Sequence, residues 1–227
     1  MIYLSIDIET TGIDRDDKGN ALTIEFAAIL EDTDTVLPYD QLPKFERRIA
    51  YPDQPLVGEP YAMAKMPRNV ETIALLADRG NLVNAEERQE FDEENGVCVF
   101  WEFAHQFRDW LIDIGYLDVT ARLGNEKKSW LTVAGKNFIG FDLRFLKKLP
   151  NWSKFFDVRS RVLDPAIMFV DWKSDNAPPS LDKCKQRCGI SGVVTHKAID
   201  DAWDVVRLLR ADYAPHSLQG GLQSSEF

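Results

Sequence analysis

Asp7 and Glu9 stand two residues apart near the N-terminus, inside the run Ile-Tyr-Leu-Ser-Ile-Asp-Ile of residues 2–8. This apolar stretch reads as a β-strand. Side chains on a strand alternate between faces, so both carboxylates point the same way, about 7 Å apart along the chain. Like charges on one face repel unless something positive lies between them, and a divalent cation is the natural occupant. Strand-end carboxylates that simply face water satisfy the same spacing. Thr10-Thr11-Gly12 follows at once, a turn with backbone N–H groups and hydroxyls to offer a nucleotide.

Three more residues join this pair as candidates. Asp142 follows Gly140-Phe141 near the start of an expected helix that buries Phe145 and Leu146; an acidic residue there also complements the helix dipole. Asp201 closes the segment His196-Lys197-Ala198-Ile199-Asp200-Asp201. Five residues along a helix turn through about 500°, which leaves His196 and Asp201 roughly 140° apart. To reach one site, His196 must precede the helix while Asp201 lies within it. Gly192 and Thr195 suit such a loop-to-helix junction, and a solvated helix start is the alternative. A histidine, with an ordinary pKa of about 6.5, can take a proton from water near neutral pH.

The elements that must position these residues follow from periodicity and punctuation. After the first strand, residues 14–20 read as a loop, 21–30 as a second strand and 45–51 as a third, which together suggest a meander. Residues 52–67 carry four prolines and read as a loop; long loops in compact domains are often functional. Residues 69–79 form a short helix with Asn69 as its cap, and the acidic stretch 86–94 reads as a solvated face or loop. Apolar spacing over 97–114 describes an amphipathic helix. A strand at 130–135 leads into Lys136-Asn137, a helix covers 139–149, and 162–169 is a strand or strand-to-helix junction. Ser180 caps a helix through Arg187 that Gly189 stops, and 196–213 is the last helical region. From residue 215 onward the Gly- and Ser-rich tail reads as disordered. Strands followed by alternating helices indicate a single α/β domain over residues 1–214, with a mixed sheet.

Bulk properties exclude several classes. A chain of 227 residues with 44% hydrophobic and 11% aromatic content can bury a sizeable core. Its formal charge of -10 argues against a broad basic face for duplex nucleic acid, although bound cations let a carboxylate-rich site handle phosphates. The three cysteines form no framework, which suggests a reducing, cytoplasmic setting. Cys184 and Cys188 share a helix face, but His105 and His216 lie at no useful spacing for a zinc site, so packing is the expected role. No stretch approaches the ~20 apolar residues of a membrane span.

Taken together, Asp-x-Glu-Thr-Thr-Gly, Asn-Phe-Ile-Gly-Phe-Asp and His-x-x-x-x-Asp resemble the three motifs of the DEDD exonuclease superfamily, histidine subtype (DEDDh, DnaQ-like). Asn137 to Leu146, Pro150, Phe155-Phe156, Arg159, Leu163-Asp164 and the His196 segment are most similar to the oligoribonuclease and RNase T side. The resemblance covers roughly residues 2–30 and 130–213; residues 52–96 look like an elaboration. It implies an RNase H-like fold, a five-stranded mixed sheet flanked by helices. It further implies that Asp7, Glu9, Asp142 and Asp201 hold two divalent cations, Mg²⁺ or Mn²⁺, and that His196 is the general base. Two such cations about 3.5–4 Å apart can clamp an in-line phosphodiester hydrolysis. Thr10, Thr11 and Asn137 are implied to lie near a terminal nucleotide, with a turn-stabilising role as the alternative for Asn137. Met63, with Met66 and Tyr61, can wedge against terminal bases, or else anchor its loop on the core. The implied activity is 3′-to-5′ removal of 5′-mononucleotides from single-stranded RNA or DNA ends, with the oligoribonuclease-like motifs favouring RNA. Many members are homodimers, so pairing of two chains is implied as well. A non-catalytic binding module and a polymerase-associated proofreading subunit are the alternatives.

Overall fold

The structure, a computed structural model, describes residues 1–13, 19–120 and 128–215. Residues 216–227 of the tail expected from 215 onward and residues 14–18 of the expected loop lie outside these. Strand β1 (Ile2–Thr10) pairs antiparallel with β2 (Thr23–Asp32), which pairs antiparallel with β3 (Lys44–Ala50), the expected meander. Two short strands run parallel to its edges: β4 (Val97–Val99) beside β3, and β6 (Val133–Ala134) beside β1. The resulting five-stranded mixed sheet has the order β4-β3-β2-β1-β6. A separate parallel pair joins β5 (Ser129–Leu131) to β7 (Phe156–Val158).

Parallel neighbours need long crossovers, and helices supply them. From β3 to β4 the chain passes through α1 (Pro60–Lys65), α2 (Pro67–Asn81) and α3 (Ala85–Asn95). From β4 it continues through α4 (Phe103–Asp113). After β6 come α5 (Asp142–Leu146), α6 (Trp152–Phe155), α7 (Leu181–Cys188) and α8 (Ala198–Tyr213). Among the described residues no helix is long and apolar enough to cross a membrane.

The alternation of β1 divides the molecule into two layers. Its even-numbered side chains, Leu4, Ile6 and Ile8, enter an aromatic core with Phe26, Phe45, Phe103, Phe107, Trp152 and Phe156. Phe103, Phe107 and Trp152 stack with centroids 5.9–6.3 Å apart, a favourable offset geometry. The odd-numbered face carries Tyr3 and packs, with Ala27 and Ile29 of β2, against Ala198, Ile199, Ala202, Val205 and Val206 of α8. Ser5, on that same face, donates to the Ala202 carbonyl at 2.7 Å. Asp7 and Glu9 therefore lie in the α8 layer.

Several elements depart from the sequence reading. Residues 97–114 are a strand and then a helix, because Val97-Cys98-Val99 completes the β3 edge: Arg48 N–H donates to Gly96 O at 2.8 Å and Phe100 N–H to Ala50 O at 3.0 Å. An apolar run this short has no period that separates strand from helix. The proline-rich 52–67 stretch contains α1, with Pro60 at the first helical position, where its missing N–H costs nothing. The 130–135 strand divides at Thr132 between the two sheets. At 162–169 a single bridge, Ala134 with Leu163, precedes a 3₁₀ turn over Pro165–Phe169. The helix expected over 139–149 keeps α-geometry only in Asp142–Leu146. Asn69 is not a cap: α2 begins two residues earlier. The acidic stretch is a helix without buried residues, a solvated face. Ser180 does cap α7 and Gly189 ends it at φ 74°. Cys184 is buried beside Ala166, Ile190 and Leu208, as packing requires.

The far end of the α8 layer is closed by an ion pair. Arg210, 1% exposed, donates to Glu31, 0% exposed, at 2.9 and 2.7 Å, and Tyr213 adds a 3.0 Å bond. Removing one partner of a buried pair leaves an uncompensated charge. Arg210→Ala is expected to cost about 3–5 kcal/mol in urea unfolding; a change below about 1 kcal/mol would show that water reaches Glu31.

Candidate metal and active site

Three chain segments bring the predicted acidic residues together. Asp7 and Glu9 come from the odd face near the end of β1, where Glu9 lies opposite Glu25 of β2 and the register shifts before Thr10. Asp142 opens α5, which starts immediately after a tight turn: Asn137 sits at φ 56° and its carbonyl accepts from the Gly140 and Phe141 N–H groups. Asp201 is in the first turn of α8, its N–H bonded to Lys197 O at 3.0 Å. His196 precedes that helix, as the spacing demanded, with φ 53°. Ligand-capable atoms of Glu9, His196 and Asp201 all lie within 4.8 Å of one another.

Electrostatics places the remaining two carboxylates in the same cluster. Asp7 is raised well above the ordinary 3.8, first by burial and then by Asp142, Asp201, Glu9 and Glu25. Glu9 is pushed up to about 8 by burial, then by Asp201, Glu25 and Asp142, while a hydrogen bond from Asn69 pulls it back. Asp142 is pushed up to about 8 by burial, against backbone hydrogen bonds from its own N–H and that of Ile8. Asp201 rises to about 7 through burial and then Asp204, with the Lys185 ammonium opposing. Glu9, Asp142 and Asp201 are each 5% exposed or less.

That concentration of buried carboxylates fits a divalent cation. Burying unpaired anions is costly, and Asp201 Oδ1 is fully buried without a hydrogen-bond partner. Carboxylate oxygens are the hard donors Mg²⁺, Mn²⁺ and Ca²⁺ take.

Around the carboxylates, the expected nucleotide contacts are shaped by other bonds. The Thr10 hydroxyl donates to Gly12 O at 2.6 Å. The buried Thr11 hydroxyl accepts from Leu22 N–H at 2.9 Å, so both threonines brace the turn. A Cβ at Gly12 would run into the Glu59 carboxyl group, which itself accepts from Ile13 N–H at 3.2 Å. Asn137 is exposed, with its side chain folded over Gly140 and its N–H donating to Asp164 at 2.9 Å. Met63 lies against Gly58, one helical turn beyond Glu59, whose N–H donates to Thr11 O at 2.7 Å.

Two site residues escape the motif reading. Asn69, 1% exposed on α2, donates to the Thr10 carbonyl at 2.8 Å as well as to Glu9. Glu25 adds a further buried carboxylate, held by Thr72 at 2.9 Å with Arg48 at 3.7 Å. Glu25 was detectable from the meander, since cross-strand pairing sets it beside Glu9. For Asn69 the sequence carries no signal beyond a polar residue in an amphipathic helix.

No protein-family model matches the chain, and no curated protein matches it in sequence. Its likeness to solved structures is in the fold. The nuclease domain of 3′hExo, a DEDDh family member bound to rAMP, superposes with a TM-score of 0.57 at 13% identity, over 92% of this chain and 89% of that one. Cell-death related nuclease 4 (CRN-4) gives 0.56 at 14% identity, over 92% and 62%. The zinc-bound complex of E. coli exonuclease I with single-stranded DNA gives 0.53 at 17% identity, over 92% and 40%. This chain therefore spans less than half of that exonuclease I chain. The class is defined by architecture: the protein has the RNase H-like α/β fold of the DEDDh nucleases, its mixed five-stranded sheet flanked by helices.

Two outcomes follow from the site. Because Glu9, Asp142 and Asp201 titrate higher when folded than their ordinary 3.8–4.5, the folded chain holds more protons between those values and about 8. Their contribution makes the metal-free protein lose stability as pH rises through that window. Melting curves in EDTA should fall from about pH 4.5 to about pH 8, with Mg²⁺ or Mn²⁺ restoring the upper end; a flat profile, insensitive to cations, would contradict this. Asn69→Leu strips the Thr10 carbonyl of its donor and should cost about 1–3 kcal/mol in denaturant unfolding.

Proposed function

We infer that this protein is a DEDDh 3′-to-5′ exonuclease that hydrolyses phosphodiester bonds at the free 3′ end of single-stranded nucleic acid, releasing 5′-mononucleotides. The observation that supports this reading is the convergence of Asp7 and Glu9 from β1, Asp142 from α5, and His196 and Asp201 from the start of α8 onto one cluster. The three solved structures named above are nucleases, one bound to rAMP and one to single-stranded DNA and zinc.

Asp7, Glu9, Asp142 and Asp201 would hold two divalent cations, Mg²⁺ or Mn²⁺. When bound, these supply Lewis-acid stabilisation of charge on the phosphate oxygens and a more acidic water. His196, partly exposed at the rim of the cluster, accepts the proton from the attacking water; its loop position lets the ring meet both solvent and the Asp201 side chain. Thr10 and Thr11 hold the turn after β1, with the Thr11 N–H donating to Leu22 O at 2.9 Å, and would set that turn beside a terminal nucleotide. Asn137 and Met63 would contact the same terminal nucleotide. The formal charge of -10 favours short single strands over long duplex, and RNA is the preferred sugar on the strength of the oligoribonuclease-like motifs.

The test is digestion of matched 5′-labelled single-stranded RNA and DNA with Mg²⁺, Mn²⁺ or EDTA. A ladder that shortens from the 3′ end, stops in EDTA and vanishes with Asp7→Ala is expected. His196→Ala should lose about 10²–10⁴-fold in kcat. Intact label on both substrates in either metal would refute the assignment and favour a non-catalytic binding module or a polymerase-associated subunit.

A further inference from the structure

We propose that Lys185 is a positioning residue that sets the loop carrying His196 against the first turn of α8. This rests on the reading of His196 and Asp201 as working residues of one site. Lys185 lies in the middle of α7 and its side chain is 5% exposed. Its ammonium donates to the Asp204 carboxylate on α8, itself 7% exposed, and to the Val193 carbonyl at 3.2 Å. Asp204 stands three residues after Asp201, close to one helical turn away. Val193 stands three residues before His196. A single buried cation therefore spans the two segments whose meeting brings His196 to Asp201.

The loop needs such a tie. Gly192, at φ 95°, and His196, at φ 53°, are both left-handed, and Val193 is 78% exposed. A left-handed conformation at a non-glycine residue persists only where its surroundings enforce it. Two further bonds act in the same direction: Asp182 of α7 accepts from Val194 N–H at 3.0 Å, and Thr195 donates to Asp200 at 3.0 Å. Arg207 completes the partners of Asp204 with a 3.2 Å bond. A buried ion pair contributes little net stability compared with apolar residues of the same volume. What an apolar residue at 185 could not reproduce is the directed bond to Val193 O.

The competing role is plain packing of α7 on α8, and a charge-free replacement separates the two. Lys185→Met combined with Asp204→Leu removes both charges while filling the space, so the melting temperature should hold. If Lys185 positions the loop, backbone amides of residues 192–196 exchange faster with solvent while those of α8 are unchanged. On a 5′-labelled single-stranded oligonucleotide, kcat falls by about tenfold or more with KM nearly constant, because small misplacements of a reacting group cost rate rather than binding. In a His196→Ala background the same two substitutions bring no further loss, since their effect runs through His196. Wild-type loop exchange in the double variant, or an equal loss of rate in the His196→Ala background, overturns the proposal. Should the wild-type chain digest no oligonucleotide at all, the functional reading fails separately, and the exchange measurement still decides whether Lys185 holds the loop. Lys185→Met alone, read by the same exchange, serves if the double variant does not fold.

Discussion

The structure depends on one constraint, the two-residue alternation of side chains along β1. Leu4, Ile6 and Ile8 are drawn into the aromatic core, and that burial obliges Tyr3, Ser5, Asp7 and Glu9 to face α8. A slip of one residue would put the two carboxylates among Phe26, Phe103 and Trp152 and expose the core residues instead. The hydrophobic layer thus enforces the register of the acidic one. Helix α8 then does two jobs along the same face: its last turns close the Glu31–Arg210–Tyr213 network, and its first turn delivers Asp201 to Glu9.

The site gathers anions in a place from which water is largely excluded. Burial raises the pKa of Asp7, Glu9, Asp142 and Asp201, and the neighbouring carboxylates push Asp7 and Glu9 up further. Such an arrangement is unfavourable for folding without a cation and favourable for holding one. Stability has been traded locally for a strong and prepared field, a common pattern at working sites. The surrounding scaffold offsets this cost elsewhere, through the stacked aromatic layer and the saturated ion pair at the far end of α8.

Helices α1 and α2 change how the middle of the chain is understood. As an elaboration, residues 52–96 could have lain apart from the chemistry. Instead Glu59 bonds Thr11 and Ile13, Asn69 bonds Thr10 and Glu9, and Thr72 bonds Glu25. These helices form a wall of the cluster and hold the turn after β1.

The sequence by itself determined the α/β class, the meander and the shared face of Asp7 and Glu9; it put the last helical region at 196–213, and only the condition that His196 and Asp201 share a site moved His196 ahead of the helix, which begins at Ala198. Each of these follows from local periodicity or spacing, which a strand of period two and a helix of 3.6 express directly. The tertiary structure alone decided that Val97-Cys98-Val99 is an edge strand rather than a helix start, because only the vacant hydrogen-bonding groups of β3 distinguish the two. It alone brought Asp142 to β1, set Asn69 beside Glu9, and joined Lys185 to Asp204 and Val193. Those contacts link residues 8 to more than a hundred positions apart, and no local propensity records them; they exist because packing two layers on one sheet leaves each polar group a single place to be satisfied.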